Sequence, residues 1–259
     1  MRELLAWAFS LMVAGCATSG RAAERPPDSP EQSTAHAPHH GGGAHGATHP
    51  SAVSDSDPQH PTADHRFEDA ERWSKVFDDP KRDEWQRPAA LVAELAIQPD
   101  EVVVDLGTGT GYFVEALSQA VPRGQVIAVD LEPNLLKFVE QRVAKGKLKN
   151  VVTRLAEKDD PKLVERLDLV LVVDTYHHIG QRSSYFKKLS KQLSERGRVV
   201  IVDFRMGRFP VGPDDSHKLA PDVVEREMKL GGYALCKSWN GLPYQYVLTF
   251  ATRCVGASR

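Results

Sequence analysis

The chain has 259 residues, a formal net charge of −2 and a pI near 6.6. That balance excludes a broadly basic surface for nucleic acid. The length suits one α/β domain with an extension.

The chain opens Met1-Arg-Glu-Leu-Leu-Ala-Trp-Ala-Phe-Ser-Leu-Met-Val-Ala-Gly-Cys16, with an apolar stretch too short to span a bilayer. Val13-Ala-Gly-Cys16 resembles a bacterial lipobox, which implies a lipoprotein-type signal over residues 1–16 and a lipidated Cys16. The expected location is then the cell envelope, exported and membrane-anchored. A misread signal would leave a cytoplasmic protein. Residues 17–65 are rich in Pro, Ser, Ala, Gly and His and poor in large apolar side chains. Such a segment buries too little surface to offset chain entropy and reads as a disordered tether. It carries His36, His39, His40, His45, His49, His60 and His65, read as solvated linker residues rather than a metal cage.

Globular sequence begins at residue 66. Phe67, Trp73, Phe77 and Trp85 lie in a charged, helix-compatible stretch, and Pro88 suits the first turn of a helix over residues 89–97. Val102-Val-Val-Asp-Leu106 is a β-branched run of the kind buried on both faces of a parallel sheet. Gly107, Gly109 and Gly111 follow at alternate positions, and apolar residues then recur at helical spacing from Tyr112. A strand, a glycine turn and a helix form the cofactor crossing of a doubly wound sheet. Asp130 closes the next strand, Gln125-Val-Ile-Ala-Val-Asp130, where an acid should take ribose hydroxyls.

The spacing Asp105-x-Gly-x-Gly-x-Gly111 resembles the first motif of class I S-adenosylmethionine (SAM) methyltransferases rather than the G-x-G-x-x-G of dinucleotide sites. The resemblance covers residues 66–259. It implies a Rossmann-like, seven-stranded α/β sheet, mostly parallel with an antiparallel C-terminal hairpin, and SAM as cofactor. The implied cofactor site comprises Asp105, Gly107, Thr108, Gly109, Gly111 and Tyr112, then Asp130 and Leu131, and Asp174. An acid after the third strand would meet adenine, and Asp159 and Asp160 both fit. A helix cap ahead of Pro161 fits either equally well. The resemblance also makes residues 66–98 a helical lid, with Arg82 and Trp85 the best candidates for pocket contact, although simple core packing of the aromatics is as good a reading.

Further along, residues 133–146 and 181–194 read as helices, and residues 150–155, 167–174 and 197–203 as strands. The most hydrophobic strand runs into Tyr176, His177 and His178, where the acceptor should meet the methyl group, since ligands sit beyond the carboxyl ends of such strands. These three are the catalytic candidates; a neutral imidazole there could take a proton. Asp174 and Asp203 close neighbouring strands, as in magnesium-dependent relatives, but Phe204 stands where those carry an amide, and no metal is expected. Residues 204–220 form a long loop over the acceptor site. A last helix opens at Pro221, and residues 233–239 and 244–252 form a hairpin. Cys236 and Cys254 fall on or beside the neighbouring C-terminal strands and are read as small buried hydrophobes rather than a disulfide. The expected function is methyl transfer from SAM to a small-molecule acceptor. The alternative is a membrane-tethered SAM- or nucleoside-binding module without transferase activity.

Overall fold

The structure, a computed structural model, describes residues 69–254. The expectations for the signal-type segment, Cys16 and the histidine-rich tether lie outside the described residues. Among those described, no helix is long and apolar enough to cross a membrane.

The seven strands described are β1 (Val102–Leu106), β2 (Gln125–Asp130), β3 (Val151–Leu155), β4 (Leu167–Val173), β5 (Leu193–Phe204), β6 (Ala234–Trp239) and β7 (Gln245–Ala251). They form one sheet in the order β3-β2-β1-β4-β5-β7-β6. The first five pair in parallel, while β7 lies antiparallel between β5 and β6. This is the expected doubly wound sheet with its antiparallel ending.

Period-two alternation explains why the central strands are apolar at nearly every position. Val104, Ile127, Val170, Val172 and Ile201 point to one face, where α6 (Arg182–Leu189) and α7 (Pro221–Leu230) add Phe186 and Met228. Val103, Val126, Leu169, Leu171 and Val200 point to the other. There α3 (Pro88–Glu94), α4 (Val114–Ala120) and α5 (Pro133–Gly146) contribute Leu91, Leu117 and Val139. Two cores therefore share one sheet, and its carboxyl edge is left to the loops.

Before α3 stand two more short helices, α1 (Ala70–Phe77) and α2 (Arg82–Gln86). Asp69 caps α1 by accepting from the Arg72 amide at 3.1 Å, so this helix begins at its own start signal.

Two expectations need correction. The helix anticipated through residue 194 stops at Leu189, and β5 starts early, at Leu193, which pairs with Leu167 across an irregular step in β4. Leu193 enters the core, a long-range preference that outweighs helical periodicity. Secondly, Cys236 and Cys254 are joined as a disulfide, with Cα atoms 5.4 Å apart. Cys236 falls at the register shift between Leu235 and Lys237, and such bulges re-aim side chains. It is exposed on the edge strand, not a buried hydrophobe.

Candidate active site

At the end of β1 the chain turns sharply beneath β2. The amides of Gly107 and Thr108 both donate to the Val129 carbonyl, at 2.8 and 2.9 Å. Gly107 has φ +75°, and a Cβ there would lie 2.3 Å from the Thr175 side chain, so only glycine fits. The Gly109 amide donates to Oδ2 of Asp130 at 2.8 Å, and the Glu132 amide to its Oδ1 at 3.0 Å. The loop's amides are thus largely committed to protein acceptors. A pyrophosphate, which needs such amides, has little to bind.

Three carboxylates converge above this turn. Asp105 is buried and accepts from the Thr108 hydroxyl at 2.7 Å. Burial pushes its pKa up to about 6 and that of Asp130 likewise to about 6. Asp174, just beyond β4 at φ +50°, is pushed up to about 7 by burial and by the neighbouring Asp203. These groups line a cleft of about 1860 Å³ at the carboxyl edge of the sheet, with Gly107, Thr108, Gly109 and Leu131.

The short helices close over it. Phe77 lies against Gly109, 3.3 Å from where a Cβ would stand. Asp78 accepts from the Thr110 hydroxyl and from Nη2 of Arg142, both at 2.8 Å, and the Tyr112 hydroxyl donates to Asp83. The Arg82 guanidinium stands 4.0 Å from the Tyr112 ring centroid. It donates to the Phe77 carbonyl at 2.9 Å and to Oε1 of Gln86 at 3.3 and 3.2 Å. Burial lowers its pKa, against the pull of Asp174 and Asp105. Trp85 packs on Phe204 with centroids 5.6 Å apart. Arg82 and Trp85 both line the cleft, as do Trp73 and Phe77.

His177 sits in a short 3-10 turn, Tyr176–His178, directly after β4. Its Nδ1 lies 2.8 and 3.1 Å from the two oxygens of Asp203, which is fully buried. A carboxylate can only accept, so Nδ1 carries a proton, and in the neutral ring Nε2 is left as the acceptor. Burial works against the charged imidazole, but the charge of Asp203 and its hydrogen bond outweigh it and raise the pKa. His178 also lines the cleft, its ring centroid 4.1 Å from that of His177.

Several expected residues lie elsewhere. The Tyr176 hydroxyl donates to Glu227 at 3.0 Å beside Arg182, and its ring stacks on Phe186 in the core. Side chains of a 3-10 turn fan out at about 120° per residue, so His177 and His178 reach the cleft while Tyr176 points into the core. Asp160 pairs backbone to backbone with Glu157 and accepts from the Lys162 amide at 2.8 Å. That tight turn brings Ala156, Glu157 and Lys158 to the cleft in place of Asp159 and Asp160. Gly111, φ +82°, is a packing glycine, with Val114 and Val139 against it. Asp203 supports His177 and also neighbours Asp174; among the described residues no group of three or more His, Cys, Asp or Glu could hold a metal ion.

Sequence reasoning missed Gln86, Gln245 and the role of Asp203. Gln245 donates to Oδ1 of Asp174 at 2.7 Å and accepts from Gln86 at 2.7 Å. No local signal marks such pairs, since the glutamines are 159 positions apart.

A glycine turn with committed amides, desolvated acids beside it and an antiparallel seventh strand define a class I methyltransferase. Residues 97–245 match a family described as Methyltransferase domain, and the chain belongs to that family. A malonyl-acyl-carrier-protein O-methyltransferase of Anoxybacillus flavithermus is 24% identical over 147 residues, 56% of each chain. A ubiquinone/menaquinone biosynthesis C-methyltransferase of Syntrophotalea carbinolica is 25% identical, over 47% of this chain and 52% of that one. An arsenite methyltransferase of Halobacterium salinarum is 33% identical, over 50% of this chain and 33% of its own. The chain spans about half the length, or less, of these curated relatives. A SAM-dependent methyltransferase from Aquifex aeolicus shares the fold with a TM-score of 0.66 at 22% identity, over 70% of this chain and 97% of that one.

Proposed function

We propose that the domain binds SAM in this cleft and passes its methyl group to a small, largely apolar acceptor deprotonated by His177. The observation that carries the reading is the placement of Asp105, Asp130 and Asp174 around one cleft beside the glycine turn, where burial raises the pKa of each carboxyl. A ligand bearing an ammonium and a sulfonium lets these acids ionise, whereas a phosphate would be repelled. When bound, SAM supplies a methyl group already activated on sulfur.

The chain's own contribution is binding, orientation, exclusion of water and one proton transfer. Asp130 and Leu131 flank the place for the nucleoside, and Asp105 and Asp174 suit the cationic end. Arg82 suits the carboxylate of the same ligand. His177 accepts the acceptor's proton on Nε2, while Asp203 holds the imidazole in that tautomer and stabilises its charge. Beyond His177 the cleft is walled by Trp85, Ile179, Phe204, Pro210, Pro213 and Tyr244, which favours a flat apolar molecule. No cysteine is among the lining residues, so a soft arsenic centre, best held by thiolates, is disfavoured.

Localisation enters the proposal too. The Cys236–Cys254 disulfide supports an oxidising compartment, in keeping with a lipidated Cys16 and export. Cell fractionation after Cys16→Ser tests this, and an unchanged distribution removes the anchor. Calorimetry with SAM and with NADH tests the cofactor. A screen of metabolites with labelled SAM, reading S-adenosylhomocysteine, tests transfer. Binding with no turnover of any acceptor would leave a binding module.

A further inference from the structure

Gln86 and Gln245 are each 0% exposed, although each carries a full set of amide donors and acceptors. Burying such a group is unfavourable unless it is hydrogen-bonded, and here the bonds form a single file. Arg82 on α2 donates to Oε1 of Gln86. Gln86 Nε2 donates to Oε1 of Gln245 on β7 at 2.7 Å. Gln245 Nε2 donates to Oδ1 of Asp174 at 2.7 Å. The ends dictate the polarity, because a guanidinium only donates and a carboxylate only accepts, so both amides have one permitted orientation.

Resting on the SAM reading above, we infer that Gln86 and Gln245 are positioning residues that make the lid respond to charge in the cleft, holding α2 more firmly over the sulfonium cofactor than over its neutral thioether product. A positive ligand beside Asp174 keeps that carboxylate ionised. Its bond from Gln245 is then charge-assisted, and each link polarises the next back to Arg82 and α2. Loss of the methyl group removes the sulfonium charge, the last link weakens, and the lid loosens for product release. Asp174 is faced by Asp203 from β5, His177 from its turn, Arg82 from α2, and Gln245 and Tyr246 from β7. Its ionisation is therefore finely balanced, which is what a charge-responsive link requires.

Gln86→Met and Gln245→Met keep the side-chain length and remove the relay. Calorimetry with SAM and S-adenosylhomocysteine, with hydrogen exchange of residues 82–87, reads the result. The wild type should prefer SAM and protect α2 more strongly with it. Each variant should lose about tenfold in SAM affinity, the scale of one charge-assisted hydrogen bond. Affinity for S-adenosylhomocysteine should change less than about twofold, and the double variant should match either single one, because one chain is broken once. Equal losses for both ligands, or additive losses, would reduce the glutamines to lid packing and overturn the inference while leaving SAM binding intact. A wild type that binds neither ligand would instead defeat the functional reading. In that case exchange of α2 in the free protein decides: the relay requires protection that grows as Asp174 ionises with rising pH and is lost in Gln245→Met, leaving only the step due to His177. Identical profiles refute it.

Discussion

Asp105→Asn should stabilise the empty domain at pH 8 while crippling cofactor binding. Burial holds the Asp105 carboxyl at about 6 against an ordinary 3.8. The native state therefore binds a proton more tightly than the unfolded chain. Stability from this group is fully present below the unfolded value and is lost as pH rises through about 6. The displacement corresponds to about 3 kcal/mol at pH 8. Asparagine removes the buried charge yet can still accept from the Thr108 hydroxyl. Melting of the ligand-free domain should then show the variant about 6–12 °C more stable at pH 8. Near pH 4, where both side chains are neutral in the fold, the difference should shrink. SAM, which favours the ionised acid, should raise the melting temperature of the wild type far more than that of the variant. A variant less stable than wild type at pH 8, or a gain that does not depend on pH, would refute the claim that this carboxylate is held against its own solvation to meet a cation.

His177→Ala should lower kcat by about 10²–10⁴-fold with SAM affinity unchanged, once an acceptor is known. Steady-state kinetics beside calorimetry separates the two effects, and a lost affinity would assign His177 to cofactor binding instead. Gly109→Val forces a branched residue to φ +56° and into Phe77, so it should abolish SAM binding and cost about 1–3 kcal/mol of stability by urea unfolding. Cys236→Ser with Cys254→Ser opens a loop of 18 residues. The chain-entropy cost is about 3 kcal/mol, or about 1.5 M in the urea midpoint. An unchanged midpoint would mean that the bond contributes nothing to the fold.

Much of this architecture was legible in the linear chain because its causes are local. Val102 to Leu106 is a strand because β-branched residues crowd a helix and suit a pleat, and Gly107 to Gly111 is a turn because side chains are excluded there. The helix from Pro133 to Gly146 begins where its proline says it should and ends beside its glycine, with Lys147 taking the left-handed cap. Residues 176–178 could be read as a cluster, but only the geometry of a 3-10 turn separates His177, facing the cleft, from Tyr176, buried beside Glu227. Asp159 and Asp160 lost their assumed place for the same reason, since a tight turn after β3 presents Glu157 and Lys158 instead.

By itself, then, the order of residues determined most of the strands, the glycine crossing and the acids at the strand ends. Tertiary structure alone decided the partnerships: Asp203 behind His177, Gln86 with Gln245, Arg82 over Tyr112, Cys236 with Cys254. Periodicity and turn chemistry act between near neighbours and leave a trace in the sequence. A hydrogen bond or a disulfide between distant segments exists only because the sheet has first brought them together, so no stretch of the chain taken alone records it.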